Sequence, residues 1–405
     1  MTEATTILSD EHRADRFERY MDALAVTLRR PERGRMARAY CRGLLMPLER
    51  KSVEPLAGLY GGGRGPSAAP GGGAALYQAL HHFVADARWD DEALLAAVAG
   101  EVLPALVERH GPIRAWIVDD TGLPKKGRHS VGVAPQYCGQ LGKVANCQVA
   151  VSLSLATADA SLPVAFRLYL PRAWAEDRAR RGAVYVPPEV RYRSKVELAL
   201  DQLARAKTQG LPPGTVVADG DYGGDVRFRD GVRGLGLDYA VAIDRTLSLL
   251  PPDGKGPLAA KALARALPAA AWRAVPGRPA DLRYAALRVR AVPNGAPGPE
   301  EWFVVERRAG AAEPERLWLA TPPADTPLGE LVATATLRRH IERDYLELKR
   351  ELGLGHYEGR GWRGFHHHAS LCIAAYGFLV RERCRSPLGR AGGHGSRDGG
   401  PAAAA

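Results

Sequence analysis

Three carboxylates in different settings carry the chemical content of this chain. Asp120 closes the apolar run Ala115-Trp116-Ile117-Val118-Asp119, Asp219 closes Val216-Val217-Ala218, and Glu342 lies in the charged stretch Arg338 to Lys349. Two strand-end acids followed by one helix acid could hold divalent cations against a phosphate backbone. Two-metal phosphodiester chemistry needs its cations roughly 3.5–4 Å apart. Magnesium prefers oxygen ligands and keeps several waters, so two or three carboxylates suffice. Such ligands belong at strand ends and on a nearby helix, where the scaffold is rigid.

The helical stretch also supplies cations. Steps of four, three and four residues put Arg338, Glu342, Tyr345 and Lys349 on one helix face. A surface helix laced with i,i+4 ion pairs would show the same spacing, so the helix alone does not decide the matter. The strand period of two sends Asp119 and Asp120 to opposite faces. Asp120 is taken as the site acid, with Asp119 as its alternative. The basic turn Lys125-Lys126 beside it suits a backbone phosphate. Asp219 opens Gly220-Asp221-Tyr222-Gly223-Gly224, where glycines let a substrate backbone approach. An Asx turn reads equally well there, and Asp221 is an alternative ligand.

Further along, Gly355 to His368 interleaves aromatics with Arg360 and Arg363, a pattern suited to stacking and phosphate contact. His366, His367 and His368 are consecutive. On a helix they diverge by about 100° each, so they do not converge on one zinc ion, and core or DNA contacts fit them better. The chain has no nucleophile elbow and no dinucleotide fingerprint. The glycine-rich stretch from Gly61 to Gly73 lacks the Lys-Ser/Thr of a phosphate loop and reads as a linker. Basic surroundings argue against glycoside hydrolysis by an acid pair.

These residues need a scaffold of helices and strands. Residues 1–110 read as helices, with Phe17, Met21, Leu24 and Leu28, then Leu76, Leu80, Phe83 and Val84, at helical spacing. Residues 111–245 alternate short apolar strands (115–120, 146–155, 162–170, 214–219, 239–243) with an amphipathic helix over 195–207, an order that suits a mixed α/β sheet flanked by helices. Residues 246–325 read as a β-rich insertion with strands near 271–275, 283–291, 301–306 and 316–320. Helices resume over 326–385, and 386–405 reads as a disordered Gly/Ala/Pro tail.

The formal net charge of +11 over 405 residues favours a polyanionic partner. The five cysteines include no C-x-x-C pair, which points to a reducing, cytoplasmic setting without a disulfide framework. The polar N-terminus carries no apolar signal region, and no apolar run is long enough to span a membrane.

Taken together, these motifs resemble the DDE transposases of bacterial insertion sequences, in the group whose third acid sits in a Y-x2-R-x3-E-x6-K signature. Arg338, Glu342 and Lys349 match the R-x3-E-x6-K part; the leading tyrosine position is Ala335, and Tyr345 is a candidate to take its role. Asp119-Asp120-Thr121 resembles the context of the family's first acid, and Asp219 that of the second. The resemblance spans about residues 76–380. It implies a ribonuclease-H-like core with the β-rich segment inserted between the second and third acids, and an N-terminal helical region that helps recognise DNA ends. It implies Mg2+ (or Mn2+) on Asp120, Asp219 and Glu342. Phosphate contacts would come from Arg338 and Lys349. A flipped base could rest on Trp302 or Trp318. The expected partners are double-stranded DNA, as terminal inverted repeats and as target, with a dimer in the synaptic complex. The other readings are a catalytically silent DNA-binding or regulatory protein of the same fold, or a nuclease without strand transfer.

Overall fold

The computed structural model describes residues 11–61, 72–254 and 256–385. Most of the linker expected at 61–73, and the whole tail expected at 386–405, lie outside the described residues.

The sheet is organised around β1 (Ala115–Pro124), which is buried along nearly its whole length. A strand covered on both faces reads as continuous apolar sequence rather than as an alternation, which is why 115–118 has no polar residue. The strands that follow are β2 (Ala134–Cys138), β3 (Lys143–Ala156), β4 (Ser161–Leu168), β5 (Thr215–Ala218) and β6 (Tyr239–Ala242). β1 pairs antiparallel with β3 and parallel with β5. β5 continues parallel into β6, and β2 and β4 both pair antiparallel with β3. Three antiparallel strands followed by two parallel ones, with helices on both sides, form a ribonuclease-H-like core.

The sheet then continues. After β7 (Ser248–Leu250) and β8 (Leu258–Ala259) come β9 (Leu282–Ala291), β10 (Glu300–Arg308) and β11 (Arg316–Ala320). β11 pairs antiparallel with β6, so the β-rich segment extends the core sheet to eleven strands among the described residues. Three of its four expected strands are present. The one expected at 271–275 is a 3-10 turn (Ala269–Ala271) with a single bridge from Arg273 to Tyr284. Pro268 and Pro276 bracket it and limit its ladder.

Among the described residues five helices precede the sheet: α1 (Glu11–Ala25), α2 (Pro31–Leu44), α3 (Val53–Gly61), α4 (Gly72–Ala85) and α5 (Asp91–His110). Asp90 starts α5 by accepting the N–H groups of Glu92 and Ala93 at 3.0 and 3.1 Å. After β4 come α6 (Arg172–Glu176), α7 (Arg178–Ala183) and α8 (Lys195–Thr208). A capping box starts α8: the Ser194 hydroxyl accepts the Glu197 N–H, and the Glu197 carboxylate accepts the Ser194 N–H. Next are α9 (Gly220–Gly223), α10 (Val226–Gly234), α11 (Ala260–Arg265) and α12 (Leu328–Ala335), then α13 (Arg339–Arg350) and α14 (Trp362–Arg385).

α14 is buried over most of its length and packs on α2, α5 and β4, joining the N-terminal helices to the sheet. α13 lies against β4 and β1 with Ile341, Tyr345 and Leu348 inward. Asp344 fixes it: its carboxylate accepts the hydroxyls of Ser161 on β4 and Tyr376 on α14, each at 2.7 Å. Burial raises that carboxyl to about 6 despite these two donors. A buried acid satisfied from two elements sets the position of the helix that carries Glu342.

Candidate active site

Asp119, Asp219 and Glu342 meet at one guanidinium. Arg338 stands in a 3-10 turn (Thr336–Arg338) immediately before α13, and its Nη2 lies 2.8 Å from Asp119 Oδ2 and 3.6 Å from Asp219 Oδ2. Its Nη1 lies 3.3 Å from Glu342 Oε1. Each strand-end acid uses its other oxygen locally. Asp119 Oδ1 accepts the Asp120 N–H at 2.7 Å. Asp219 Oδ1 caps α9, accepting the N–H groups of Asp221 and Tyr222 at 3.1 and 3.4 Å. One Asp219 oxygen therefore makes the Asx turn and the other faces Arg338. Asp221 is exposed.

Asp120 has a counter-ion of its own. In the β1–β3 register Asp119 lies opposite Ser152, whose Oγ is 2.6 Å from the Tyr345 hydroxyl of α13. Asp119 therefore shares the α13 face. Asp120 pairs instead with Lys195 at the start of α8, Nζ to Oδ2 2.6 Å. A strand period of two requires this separation.

Electrostatics single out the first pair of acids. Burial pushes the Asp119 carboxyl up to about 7; Arg338 pulls against the rise and Asp219 adds to it. Asp219 is raised in the same way, by burial opposed by Arg338, with Asp221 and then Asp120 adding to it. Burial opposes the charge on Arg338, but Asp119, Asp219 and Glu342 hold it above its ordinary value. Two crowded, partly dehydrated carboxyls raised in this way favour a cation between them.

The remaining expected contact residues divide by exposure. Lys349 donates to the Gly122 carbonyl at 3.1 Å and lies 5.8 Å from the Tyr345 ring centroid. Burial lowers its ammonium. Tyr345 is buried under it. Lys125 donates to the Tyr357 carbonyl at 2.5 Å, and burial brings it down to about 8. Arg363 donates to the Asp86 carbonyl at 3.0 Å. Lys126 and Arg360 are exposed.

The three histidines are buried in the core. His366 Nδ1 faces the Trp362 carbonyl at 2.9 Å and its Nε2 accepts the Leu168 N–H at 3.2 Å. His367 faces the carbonyls of Val84 and Trp89, and His368 faces the Tyr40 hydroxyl and the Gly353 carbonyl. Burial lowers all three, to about 3, 4 and 4. All five cysteines are free.

A cleft of about 750 Å3 opens beside Asp219, Arg338 and Glu342, with Tyr284, Arg316 and Trp318 on its far wall. Trp318 is largely buried in that wall, whereas Trp302 is tied away from it, its indole N–H donating to the Pro323 carbonyl at 3.1 Å.

Three residues of this neighbourhood escape a reading of the sequence. Ser152 supports Tyr345 and gives no local sign of doing so. Tyr222 is buried, and its hydroxyl has no hydrogen-bond partner among the described residues. Lys195 had a signal: a lysine at the first position of a helix opposes the macrodipole and calls for a nearby carboxylate.

Among the described residues no three His, Cys, Asp or Glu side chains are grouped closely enough to hold a metal ion. Among them, too, no helix is long and apolar enough to cross a membrane. Residues 23–295 match the family model described as DDE superfamily endonuclease. That span includes both strand-end acids and stops before Glu342. Over 239 residues the chain is 29% identical to a protein of Microchaete diplosiphon described as a probable transposase for insertion sequence element IS701. The match covers 57% of this chain and 59% of that relative.

Proposed function

The chain belongs to the DDE superfamily endonucleases, and on that premise we propose that it is a DNA transposase that cuts at the ends of its element and joins the 3′-hydroxyl ends to target DNA. The observation that carries this reading is the convergence of Asp119, Asp219 and Glu342 on Arg338, each strand-end acid turning one oxygen toward the same nitrogen. The likeness to the probable IS701 transposase supports it.

The chemistry of the donors fits a divalent cation, although the three acids are not grouped closely enough here to hold one together. All the donors are carboxylate oxygens, hard ligands of the kind magnesium or manganese takes. Arg338 already stands as a cation between them. Asp119 and Asp219 would hold the ion and Glu342 would complete the set, with water filling the remaining positions. Asp120, neutralised by Lys195, supports the site from the other face of β1. The bound ion would activate the attacking oxygen and stabilise the leaving one.

The chain's own residues do the rest. Arg338 is placed to pass from the carboxylates to the phosphate undergoing attack. Lys349, tied to the Gly122 carbonyl, keeps α13 at a fixed height over β1. Tyr345 and Ser152 close the floor of the site. The cleft lined by Arg316 and Trp318 gives the strand a path away from the acids. Lys126 and Arg360 offer exposed charge to phosphates. Joining two ends at once calls for two copies of the chain in the working complex.

The test is a donor plasmid carrying the DNA that flanks this gene, incubated with the purified chain and Mg2+ or Mn2+. Cleavage at the element's ends and joined products are expected. Asp119→Asn, Asp219→Asn and Glu342→Gln should each abolish cleavage while end binding persists. Asp120→Asn should weaken activity without removing it. Cleavage without joining would make the protein a nuclease, and binding without cleavage a silent DNA-binding protein. Loss in Asp120→Asn with full activity in Asp119→Asn would return the first-acid role to Asp120.

A further inference from the structure

Beyond Asp120 the chain carries no acid until Asp159, while Lys125, Lys126, Arg128 and Lys143 all fall in that interval. The structure folds this stretch into two adjacent projections. One is the turn after β1, where Lys126 and Arg128 are exposed. The other is the β2–β3 hairpin, whose tip exposes Lys143 together with Tyr137, Leu141 and Val144 at 62%, 45% and 65%. Tyr137 and Val144 are directly paired across the hairpin.

The two projections are locked together. Asn146 on β3 donates to the carbonyls of Lys125 and Gly127 at 2.7 and 2.9 Å, and the Lys125 N–H returns a bond to the Asn146 carbonyl at 2.9 Å. Gly122 lets the hairpin lie close to β1: a β-carbon there would sit 2.9 Å from Cys138 Sγ and 3.1 Å from its Cα. No carboxylate among the described residues pairs with Lys126, Arg128 or Lys143. An exposed apolar trio ringed by unpaired cations is costly to leave in water and is complementary to a polyanion with apolar edges.

We propose that this surface seats the target duplex, with Lys126, Arg128 and Lys143 on phosphates and Tyr137, Leu141 and Val144 against the groove between them. The inference rests on the transposase reading. Phosphate contacts carry no sequence code, which suits a target of arbitrary sequence rather than a defined end. The distance is suitable as well. Asp119 faces Ser152 in the β1–β3 register, and nine residues of β3 at about 3.3 Å each put Lys143 roughly 30 Å from Asp119. At about 3.4 Å per base pair the hairpin meets DNA roughly nine pairs from the reacting phosphate.

The experiment is fluorescence anisotropy of the full chain on a 30-base-pair duplex of arbitrary sequence, over a salt series, beside a duplex carrying the element's end. The triple variant Lys126→Gln/Arg128→Gln/Lys143→Gln should lower the slope of log K against log salt by about 2.7 units, and affinity at 0.1 M salt by on the order of a hundredfold. Tyr137→Ser/Leu141→Ser/Val144→Ser should weaken binding tenfold or more with the slope unchanged. All six positions are exposed, and unchanged thermal melts would establish that both variants fold. The proposal is overturned if either variant binds the arbitrary duplex like the parent. It is also overturned if the loss is confined to the end duplex, or if the apolar variant changes only the sedimenting mass, which would make the tip a contact between copies. In each of these cases cleavage at the element's ends would still uphold the transposase reading; its absence would remove that reading separately.

Discussion

Arg338 can be tested as an internal competitor for the cation that Asp119 and Asp219 would hold. Its guanidinium makes three ion pairs, of unequal worth. Glu342 is 68% exposed, so that pair contributes little. Asp119 is only 7% exposed and lies at 2.8 Å, where a hydrogen bond between charged groups is worth about 1.5–3 kcal/mol. Asp219, longer at 3.6 Å and more exposed, adds a fraction of that. An incoming divalent ion must displace this guanidinium and forfeits about 2 kcal/mol, roughly a thirtyfold weakening of its apparent Kd. Arg338→Gln should therefore bind Mn2+ about thirtyfold more tightly than the parent in the absence of DNA, measured by loss of the free-ion EPR signal. Arg338→Lys, which keeps the charge on a single point, should fall between the two.

A second readout follows from the same displacement. Without Arg338 the buried Asp119 has lost its counter-charge, so the metal-free variant should melt below the parent. Mn2+ should restore more stability to the variant than to the parent, because ligand stabilisation grows with [L]/Kd. Cleavage should fall in both variants, since Arg338 is also the group placed to meet the phosphate. If folded Arg338→Gln binds Mn2+ no more tightly than the parent, the guanidinium does not guard the site and the competitor account is wrong.

Gly223 packs so closely on β6 that a β-carbon would lie 1.9 Å from the Ala242 carbonyl oxygen. Gly223→Ala should cost about 1–3 kcal/mol in urea melts and lower cleavage by shifting the turn that Asp219 caps; wild-type stability would contradict this. His366 tests the buried histidines. Burial, with Arg167 adding to it, takes its imidazole down to about 3, so below its ordinary 6.5 the unfolded chain binds a proton that the folded chain refuses. That contribution to stability is complete above about 6.5 and is lost as pH falls toward 3, at about 1.4 kcal/mol per unit. His366→Gln should gain about 2 kcal/mol relative to the parent between pH 7 and pH 5 in paired urea melts, and a difference independent of pH would refute the assignment.

Much of the core was legible because its strands and helices obey local rules. The apolar runs ending at Asp120 and Asp219, and the amphipathic helix over 195–207, are strand and helix on local pattern alone. β2 was missed because Ala-Pro-Gln-Tyr-Cys carries a proline and is an edge strand, defined by its partner β3 rather than by its own pattern. The β-rich segment was legible as strands but not as part of the core sheet. Its union with β6 through β11 is a long-range pairing that leaves no local trace.

The choice between Asp119 and Asp120 shows where local reading ends. Alternation settles which face a residue takes only when one face is wet, and β1 is covered on both. Asp119 is proposed as the site acid on information elsewhere in the chain, in Lys195. A lysine placed against the positive end of a helix is stable there only with an acid in reach. The α8 face of β1 offers it Asp120, and that pairing leaves Asp119 to the α13 face. Asp119 has no lysine of its own, only a guanidinium that must also serve Asp219 and Glu342. Of two adjacent acids, the one with a private counter-ion is proposed to stay neutralised, and the one that shares its cation to be the one that exchanges it.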